Sequence, residues 1–289
     1  MPARPPAAAP DGRRTAMAEP LPPTRAIRAR SAPLYTRDRG SGRAVLLLHA
    51  FPLNSRMWEP QLDALAARAR LLAPDLPGFG LIPPPLAAPS LDDYARQVLG
   101  VLDFLEVDQV VVVGLSMGGY VAFRLVGELG PRLIGLVLAD TRATPDTEAG
   151  ALARHRLAAD VEARGVDVAA GEFLPKLLGP TTQRLRPALL DRVCAIIREN
   201  TPAGVAAALR AMAARPDSTP ILPRIGCPVL CLAGEEDVLT PPEAARGMAE
   251  QMPRGRAMVI PLAGHLTNLE APEAFNDALA GFLSECSGR

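Results

Sequence analysis

The sequence predicts an α/β protein with a doubly wound, mostly parallel sheet, and three observations support this fold class. Short continuous apolar runs recur along the chain, for example at residues 44–49, 110–113 and 133–139. Segments with helical periodicity lie between these runs, and strands buried on both faces of a parallel sheet have this composition. A hydrophobic content of 48% in 289 residues is also enough for a sizeable core.

The first thirty residues differ from the rest of the chain. Residues 1–30 are rich in proline, alanine and arginine and show no apolar periodicity, so we expect a disordered tail. The pair Arg13–Arg14 is not followed by an apolar segment, so no export signal is expected. No run of about 18 apolar residues occurs, so no membrane-spanning helix and no membrane partner are expected.

The alternation of strands and helices places the α/β core in residues 31–144 and 219–289. Strands are predicted in six apolar runs, at residues 44–49, 70–74, 110–113, 133–139, 228–233 and 257–260. Helices are predicted between them, at residues 56–67, 91–105 and 242–251, with a last one near the C-terminus and one directly after residue 116.

A helical insert is predicted between the two parts of the core. Residues 145–218 are rich in alanine, arginine, leucine and glutamate, without a convincing strand, and suggest three or four short helices. An insert at this place is expected to form a lid over the carboxyl edge of the sheet, where open α/β sheets bind their ligands.

Charge and cysteine content narrow the classes of function. The chain has 31 basic and 31 acidic residues, so it lacks the basic excess typical of nucleic-acid-binding proteins, and no nucleic-acid partner is expected. Its four cysteines are too few and scattered for a disulfide framework. Cys227 and Cys231 lie about 13 Å apart on a predicted strand, too far for a disulfide. A reducing, cytoplasmic location is therefore expected.

A candidate nucleophile lies in the sharpest predicted turn. The apolar run 110–113 is followed by Gly114-Leu-Ser116-Met-Gly118 and then by a helical segment. A serine between two such glycines, after a strand and before a helix, is typical of a nucleophile held in a strained turn. We interpret Ser116 as a catalytic nucleophile.

A serine nucleophile needs a histidine base, and the sequence contains three histidines. His265 follows the last predicted strand in a glycine-containing loop, from which it can reach a residue at a strand end. His155 lies among arginines in the insert, and His49 ends an earlier strand, where it suits turn stabilisation better than proton transfer. His265 is the predicted base.

The base in turn needs a carboxylate that orients it. Asp237 follows a buried strand and completes the chain order nucleophile, acid, histidine. Glu235 and Glu236 precede it in the same loop, and Asp140 ends the strand after the nucleophile helix, from which it could also reach the histidine. Asp237 is preferred, with Asp140 as the alternative acid.

Acyl transfer also requires donors for a tetrahedral oxyanion. The backbone N–H of Met117 directly follows Ser116 at a helix N-terminus, and the loop after residue 49 can supply the N–H of Phe51. We predict these two amides as the oxyanion hole.

Together these motifs resemble the α/β-hydrolase fold serine hydrolases. Residues 48–58 and 114–120 are similar to bacterial carboxylesterases and 3-oxoadipate enol-lactonase-like members. The resemblance implies roles for Ser116, Asp237 and His265 as nucleophile, acid and base. Ala50 departs from the glycine usual at its position, and a serine at the elbow disfavours the dehalogenase and epoxide-hydrolase branches, which use aspartate.

The expected activity is hydrolysis of a small carboxylic ester or lactone through an acyl-enzyme, with no cofactor and no metal. His49 and Trp58 are candidate substrate-binding residues, and Trp58 could equally belong to the core. Arg142, Arg154 or Arg156 could bind a substrate carboxylate, although a solvated surface is the simpler interpretation. Perhydrolase or C–C bond hydrolase chemistry on the same residues, or a non-catalytic ligand receptor of this fold, remain alternatives.

Overall fold

The computed structural model describes residues 26–29, 32–84 and 89–287. Eight strands form one sheet in the order β1-β2-β4-β3-β5-β6-β7-β8. β1 and β2 pair antiparallel at one edge, and β3 to β8 run parallel, which confirms the predicted fold class. The strand bounds are β1 Ala26–Ala29, β2 Ala32–Arg39, β3 Ala44–Leu48, β4 Arg70–Pro74, β5 Val110–Leu115, β6 Leu133–Ala139, β7 Val229–Gly234 and β8 Gly255–Ile260.

The two central strands are buried on both faces, as their continuous apolar sequences predict. Every residue of β3 and β5 is buried, and Val45 pairs with Val111 in the parallel register. Alternate residues point to opposite faces, so Val45 and Val111 join one hydrophobic cluster while Leu46 and Val112 join the other. The sheet therefore has an apolar layer on each side.

Eleven α-helices are present in the described residues: α1 Glu59–Leu65, α2 Leu91–Phe104, α3 Met117–Leu129, α4 Glu148–Arg164, α5 Asp167–Leu177, α6 Pro180–Leu185, α7 Pro187–Arg198, α8 Pro202–Ala213, α9 Pro242–Glu250, α10 Thr267–Glu270 and α11 Pro272–Ser287. Short 3₁₀ helices span Ser55–Trp58, Gly130–Arg132 and Thr219–Arg224. None of the helices in the described part of the chain is long and apolar enough to cross a membrane.

The insert between β6 and β7 contains five helices, α4 to α8, and not the three or four expected. Prolines explain the difference, because α6, α7 and α8 begin at Pro180, Pro187 and Pro202. A proline at the first helical position is compatible with a helix start and interrupts a helix arriving from before it. The composition of the insert shows helix content but not these breaks.

The prediction of a disordered tail through residue 30 is wrong for its last part. Ala26–Ala29 form β1 and pair with β2, so the sheet begins before the predicted core boundary at residue 31. Backbone pairing with a neighbouring strand stabilises this segment, and a proline-rich composition does not reveal such pairing. Residues 1–25 of the predicted tail lie outside the described residues.

The lid, defined as residues 148–213, is attached to the core where α8 begins. The Asn200 side chain donates to the Pro52 carbonyl at 2.7 Å and accepts from the Gly80 amide at 2.8 Å. Beside it, Gly204 lies against Gly78 so closely that a Cβ on Gly204 would overlap the Gly78 carbonyl. The lid is thus joined to the loops that follow β3 and β4.

We expect a Gly204→Ala substitution to lower the free energy of unfolding by about 1–3 kcal/mol, because the added methyl group overpacks a backbone contact. Gly171→Ala is the matched control, since Gly171 also lies in a lid helix but has open space where its Cβ would be. There alanine should raise stability by about 0.5–1 kcal/mol through its helix propensity. Urea unfolding measures both. Equal effects of the two substitutions would contradict the close contact.

Candidate active site

Ser116 occupies a strained turn between β5 and α3. Its backbone φ is 54° and ψ is −112°, a left-handed conformation that costs energy for a residue with a side chain. The turn is held by a hydrogen bond from the Ser116 amide to the Ala139 carbonyl at 2.9 Å. A Cβ on Gly118 would overlap the Leu48 carbonyl, and one on Gly114 would overlap the Gly118 carbonyl. Glycine is therefore required on both sides of the serine.

The structure brings Ser116, His265 and Asp237 into one hydrogen-bonded chain. The Ser116 hydroxyl lies 2.8 Å from His265 Nε2, and His265 Nδ1 lies 2.8 Å from Asp237 Oδ2. The three residues follow β5, β8 and β7, whose carboxyl ends meet at the same edge of the parallel sheet. His265 and Asp237 are both buried, which excludes competing water from their contact.

Asp237 is held as an anion by donors within its own loop. Its Oδ1 accepts from the amides of Leu239 at 2.8 Å and Thr240 at 3.0 Å, and its Oδ2 accepts from the Thr240 hydroxyl at 2.6 Å. Burial acts to raise the pKa of Asp237. Electrostatic attraction to His265 and the hydrogen bonds from His265 and Thr240 outweigh this, so the pKa is lowered.

The alternative acid, Asp140, lies near this chain but does not bond to His265. Its Oδ1 accepts from the Gly234 amide at 2.9 Å, and its Oδ2 contacts the Thr267 hydroxyl. Complete burial, together with the negative charge of Asp237, raises the pKa of Asp140 well above its ordinary value. Two neighbouring carboxyl groups thus have opposite pKa shifts.

The two rival glutamates form contacts away from the histidine. Glu235 accepts a hydrogen bond from the Leu262 amide at 3.1 Å. Glu236 accepts from the Thr181 amide at 2.9 Å and from the Thr181 hydroxyl, which connects this loop to the lid. Asp237 is therefore the carboxylate that the loop directs to His265.

The amides predicted to form the oxyanion hole belong to Met117, which directly follows Ser116, and to Phe51, which lines the same cavity as Ser116. Met117 is the first residue of α3, and the contact of Gly118 with Leu48 sets the start of this helix against the end of β3, just before Phe51. Within the described residues, neither amide donates a hydrogen bond to a protein acceptor. Both N–H groups are thus available to a ligand.

A small cavity of about 130 Å³ opens at the Ser116 hydroxyl. The lid contributes to it from three helices, α4, α5 and α8, and the core contributes the elbow, α3 and the loops after β3, β6, β7 and β8. The lining residues are Phe51, Ser116, Tyr120, Arg142, Arg154, Phe173, Met212, Leu239, Thr240 and His265. The lid therefore covers the serine directly.

The structure places His49, a predicted substrate-binding residue, away from the cavity at Ser116. Its ring is completely buried, with Nε2 accepting from the Leu76 amide at 3.0 Å and Nδ1 lying 3.0 Å from the Ala50 carbonyl. Burial lowers the pKa of His49, and its ring packs edge-on against Phe79. His49 joins the loop after β3 to the loop after β4 and does not line the cavity.

Trp58 does not contact the cavity either. It is completely buried, and its ring centroid lies 5.9 Å from that of Phe275 in α11. Trp58 lies ten residues beyond the end of β3 at Leu48, and its side chain packs in the apolar cluster that also contains Phe275. Of the two readings of Trp58, the core residue is the one that the structure supports.

Several residues at the site were not predicted from the sequence. The Thr141 hydroxyl donates to the Ser116 carbonyl at 2.9 Å and thereby braces the elbow from β6. Thr240 holds Asp237, and its position three residues after an aspartate is a turn pattern that could have been recognised. Phe173 and Met212 come from the lid, and nothing in their local sequence marks them as cavity residues.

The raised pKa of Asp140 leads to a stability prediction. When the pH rises above the ordinary pKa of a carboxyl group, Asp140 loses its proton in the unfolded chain but keeps it in the folded protein. Asp140 therefore makes the wild type less stable as the pH rises from the ordinary pKa toward the raised pKa of the folded state. Asparagine can still accept from the Gly234 amide and does not titrate. We expect Asp140→Asn to gain stability relative to the wild type between about pH 5 and about pH 8. Chemical denaturation at both pH values measures the gain, and a constant difference would contradict the raised pKa.

Comparisons with known proteins agree with this architecture. Residues 45–278 match the Alpha/beta hydrolase family. The chain is 37% identical to a thermophilic esterase from Thermogutta terrifontis whose structure was solved with malate bound, with a TM-score of 0.88 and coverage of 92% of this chain and 99% of that one.

Two curated relatives cover most of the chain. It is 25% identical over 240 residues to 3-oxoadipate enol-lactonase 2 of Acinetobacter baylyi, covering 83% of this chain and 88% of the relative. It is 27% identical over 271 residues to a putative non-heme bromoperoxidase, BpoC, of Mycobacterium tuberculosis, covering 86% and 96%. With its strand order, its elbow serine and this match over most of its length, the chain belongs to the alpha/beta hydrolase family.

Proposed function

We propose that this protein hydrolyses a small carboxylic ester or lactone through an acyl-enzyme formed on Ser116. The observation that carries the proposal is the hydrogen-bonded chain from the Ser116 hydroxyl through His265 to Asp237, with 2.8 Å at each step. A serine, a histidine and a buried carboxylate in this order provide a nucleophile, a base and a group that orients the base.

In the first half of the reaction, Ser116 Oγ attacks the substrate carbonyl and its proton passes to His265 Nε2. The carbonyl oxygen becomes an oxyanion, which the N–H groups of Phe51 and Met117 stabilise. When the tetrahedral intermediate collapses, His265 gives the proton to the departing alkoxide oxygen, and the acyl group stays on Ser116. In a lactone, this alkoxide remains attached to the acyl group.

In the second half, water takes the place of the alcohol. His265 removes a proton from water as the water oxygen attacks the acyl carbonyl, and the same amides hold the second oxyanion. Collapse of this intermediate returns the proton to Ser116 Oγ and releases a carboxylic acid. Asp237 keeps the His265 Nδ1 proton in place throughout and stabilises the transient imidazolium.

The size of the cavity and the names of similar proteins both favour a substrate with a small acyl group. The space beside Ser116 is about 130 Å³, below the range of about 300–1,000 Å³ that is usual for drug-sized ligands. The relatives include an esterase structure and an enol-lactonase, both of which are named for carboxylic ester or lactone chemistry. These two features favour short esters and lactones over long-chain lipids.

The Ser116→Ala variant tests the nucleophile. We expect it to lower kcat for p-nitrophenyl acetate or butyrate by about 10⁴-fold or more, because it removes the oxygen on which the acyl-enzyme is proposed to form. Labelling by a fluorophosphonate should be lost as well. Circular dichroism and thermal unfolding serve as the control for folding. Undiminished hydrolysis by folded Ser116→Ala protein would overturn the proposed function.

The Asp237→Asn variant tests the choice of acid. Asparagine keeps the shape of the side chain but favours the wrong tautomer of His265, so we expect kcat to fall by about 10⁴-fold. Asp140→Asn is the matched control, because Asp140 makes no hydrogen bond to His265 among the described residues. It should keep kcat within about threefold of the wild type. The reverse order of the two effects would identify Asp140 as the acid.

A second candidate is perhydrolase chemistry, which is favoured by the similarity to a putative non-heme bromoperoxidase. Here the acyl group on Ser116 would be transferred to hydrogen peroxide in place of water, releasing a peracid that oxidises bromide. Peroxide-dependent bromination in the presence of acetate, measured beside ester hydrolysis, separates the two activities. Bromination that exceeds hydrolysis would reverse the order of the two proposals.

A further inference from the structure

Two arginines, Arg142 in the loop after β6 and Arg154 in α4 of the lid, line both the cavity at Ser116 and a larger cavity beside it. The outer cavity has a volume of about 450 Å³. It shares three lining residues with the inner cavity, namely Arg142, Arg154 and Phe173, so the two spaces adjoin. A substrate group that extends from the serine into the outer cavity passes these guanidinium groups.

The guanidinium groups belong to a cluster in which positive charge exceeds negative charge. Asp146 accepts from Arg142 at 2.7 Å, from Arg154 at 2.6 Å and from Arg215 at 2.9 Å. Burial acts to raise the pKa of Asp146, but the hydrogen bonds from Arg215 and Arg154 and their charges lower it to about 2. One carboxylate therefore faces three guanidinium groups, and it stays ionised at neutral pH.

The three arginines are not equivalent. Arg215 is almost completely buried, donates to the carbonyls of Met212 and Thr144, and lies over the Tyr120 ring at 4.3 Å. Its Nη donors are directed to the protein and only 3% of its side chain is exposed, so it acts as the structural partner of Asp146. It leaves Arg142 and Arg154 as the arginines that face the cavities.

Arg142 and Arg154 retain donor capacity for a ligand. Arg142 donates to Asp146 through Nη2, and 35% of its side chain remains exposed. Arg154 contacts Asp146 through Nε, and its Nη1 lies 3.7 Å from the Met212 sulfur, which is a weak acceptor. Guanidinium groups bind carboxylates in a planar, two-donor geometry, which suits this pair.

The distribution of acidic residues indicates which cavity attracts an anion. The outer cavity is lined by Asp146, Asp160 and Glu172 as well as by arginines, so its charges are mixed. Among the described residues that line the inner cavity, none is a glutamate or an aspartate, and Arg142 and Arg154 are its permanent charges. An anionic group is thus favoured at the boundary, within reach of the inner cavity.

We propose that Arg142 and Arg154 bind a carboxylate of the substrate, so that the preferred substrates are short esters or lactones with a carboxylate a few bonds from the reacting carbonyl. This inference rests on the proposed hydrolytic function and specifies its substrate class. Arg142 and Arg154 are then specificity-determining residues and not solvated surface charges.

The test compares two esters of equal length that differ in charge. Monoethyl glutarate carries a carboxylate at neutral pH, and ethyl 4-carbamoylbutanoate carries a neutral amide at the same place. Because charge-assisted hydrogen bonds are roughly twice as strong as neutral ones, we expect the wild type to prefer the anionic ester by about tenfold or more in kcat/KM. Acid release in a pH-stat measures both reactions, and added salt should weaken the preference.

Variants then assign the preference to residues. Arg142→Gln and Arg154→Gln should each lower kcat/KM for the anionic ester by about tenfold while changing that for the amide by less than about threefold. Arg164→Gln is the matched control, since Arg164 lies exposed at the end of the same helix as Arg154 and lines neither cavity. It should keep the wild-type preference. The ratio of the two esters does not depend on the fraction of folded enzyme.

Two outcomes would overturn the inference: equal kcat/KM for both esters in the wild type, or equal losses on both esters in the arginine variants. Calorimetry with glutarate gives a test that needs no turnover. Binding to the wild type that is lost in Arg154→Gln supports the carboxylate site even if neither ester is hydrolysed, in which case only the proposed function fails. If the wild type hydrolyses neutral esters but does not bind glutarate, the carboxylate site is refuted and the proposed function stands.

Discussion

The site depends on a backbone contact that leaves no room for a side chain. Gly118, in the first turn of α3, lies against the Leu48 carbonyl at the end of β3, and Gly114 lies against Gly118. This packing holds Ser116 at a φ of 54°, where its hydroxyl points away from the sheet toward His265. It also sets the start of α3 beside the loop that carries Phe51. Since hydrogen bonds to Ala139 and Thr141 fix the turn from β6, the conformation of one residue is determined by two neighbouring strands.

Much of the fold and of the candidate site could be predicted from sequence, because both are encoded locally. Ser116 and Asp237 follow the buried apolar strands β5 and β7, and His265 follows β8, an edge strand that is largely exposed. Because these strands are parallel, their carboxyl ends meet at one edge of the sheet. What could not be predicted depends on tertiary packing. The side-chain directions of His49 and Trp58, and the approach of Phe173 to the cavity, are decided by contacts between segments that are distant in sequence.

The pair of Asp140 and Asp237 shows how environment decides the state of similar groups. Both are buried and both follow strand ends, so burial alone would favour the neutral form of each. Asp237 receives donors from Leu239, Thr240 and His265, whereas Asp140 receives the Gly234 amide and contacts Thr267. Burial and the negative charge of Asp237 raise the pKa of Asp140. At Asp237, burial acts to raise the pKa, but attraction to His265 and the hydrogen bonds from His265 and Thr240 outweigh burial and lower the pKa.

The attachment of the lid through Asn200 has a consequence for how this protein can diversify. Asn200 bonds to the Pro52 carbonyl, one residue beyond the proposed oxyanion amide of Phe51, so the start of α8 and the reaction centre share a support. The segment from α4 to α7 precedes this anchor and carries Arg154 and Phe173. Exchange of that segment between relatives would alter the recognition surface while leaving the anchor intact. A chimera of this kind has to preserve the contact of Thr181 with Glu236 as well, because it joins α6 to the loop that carries Asp237.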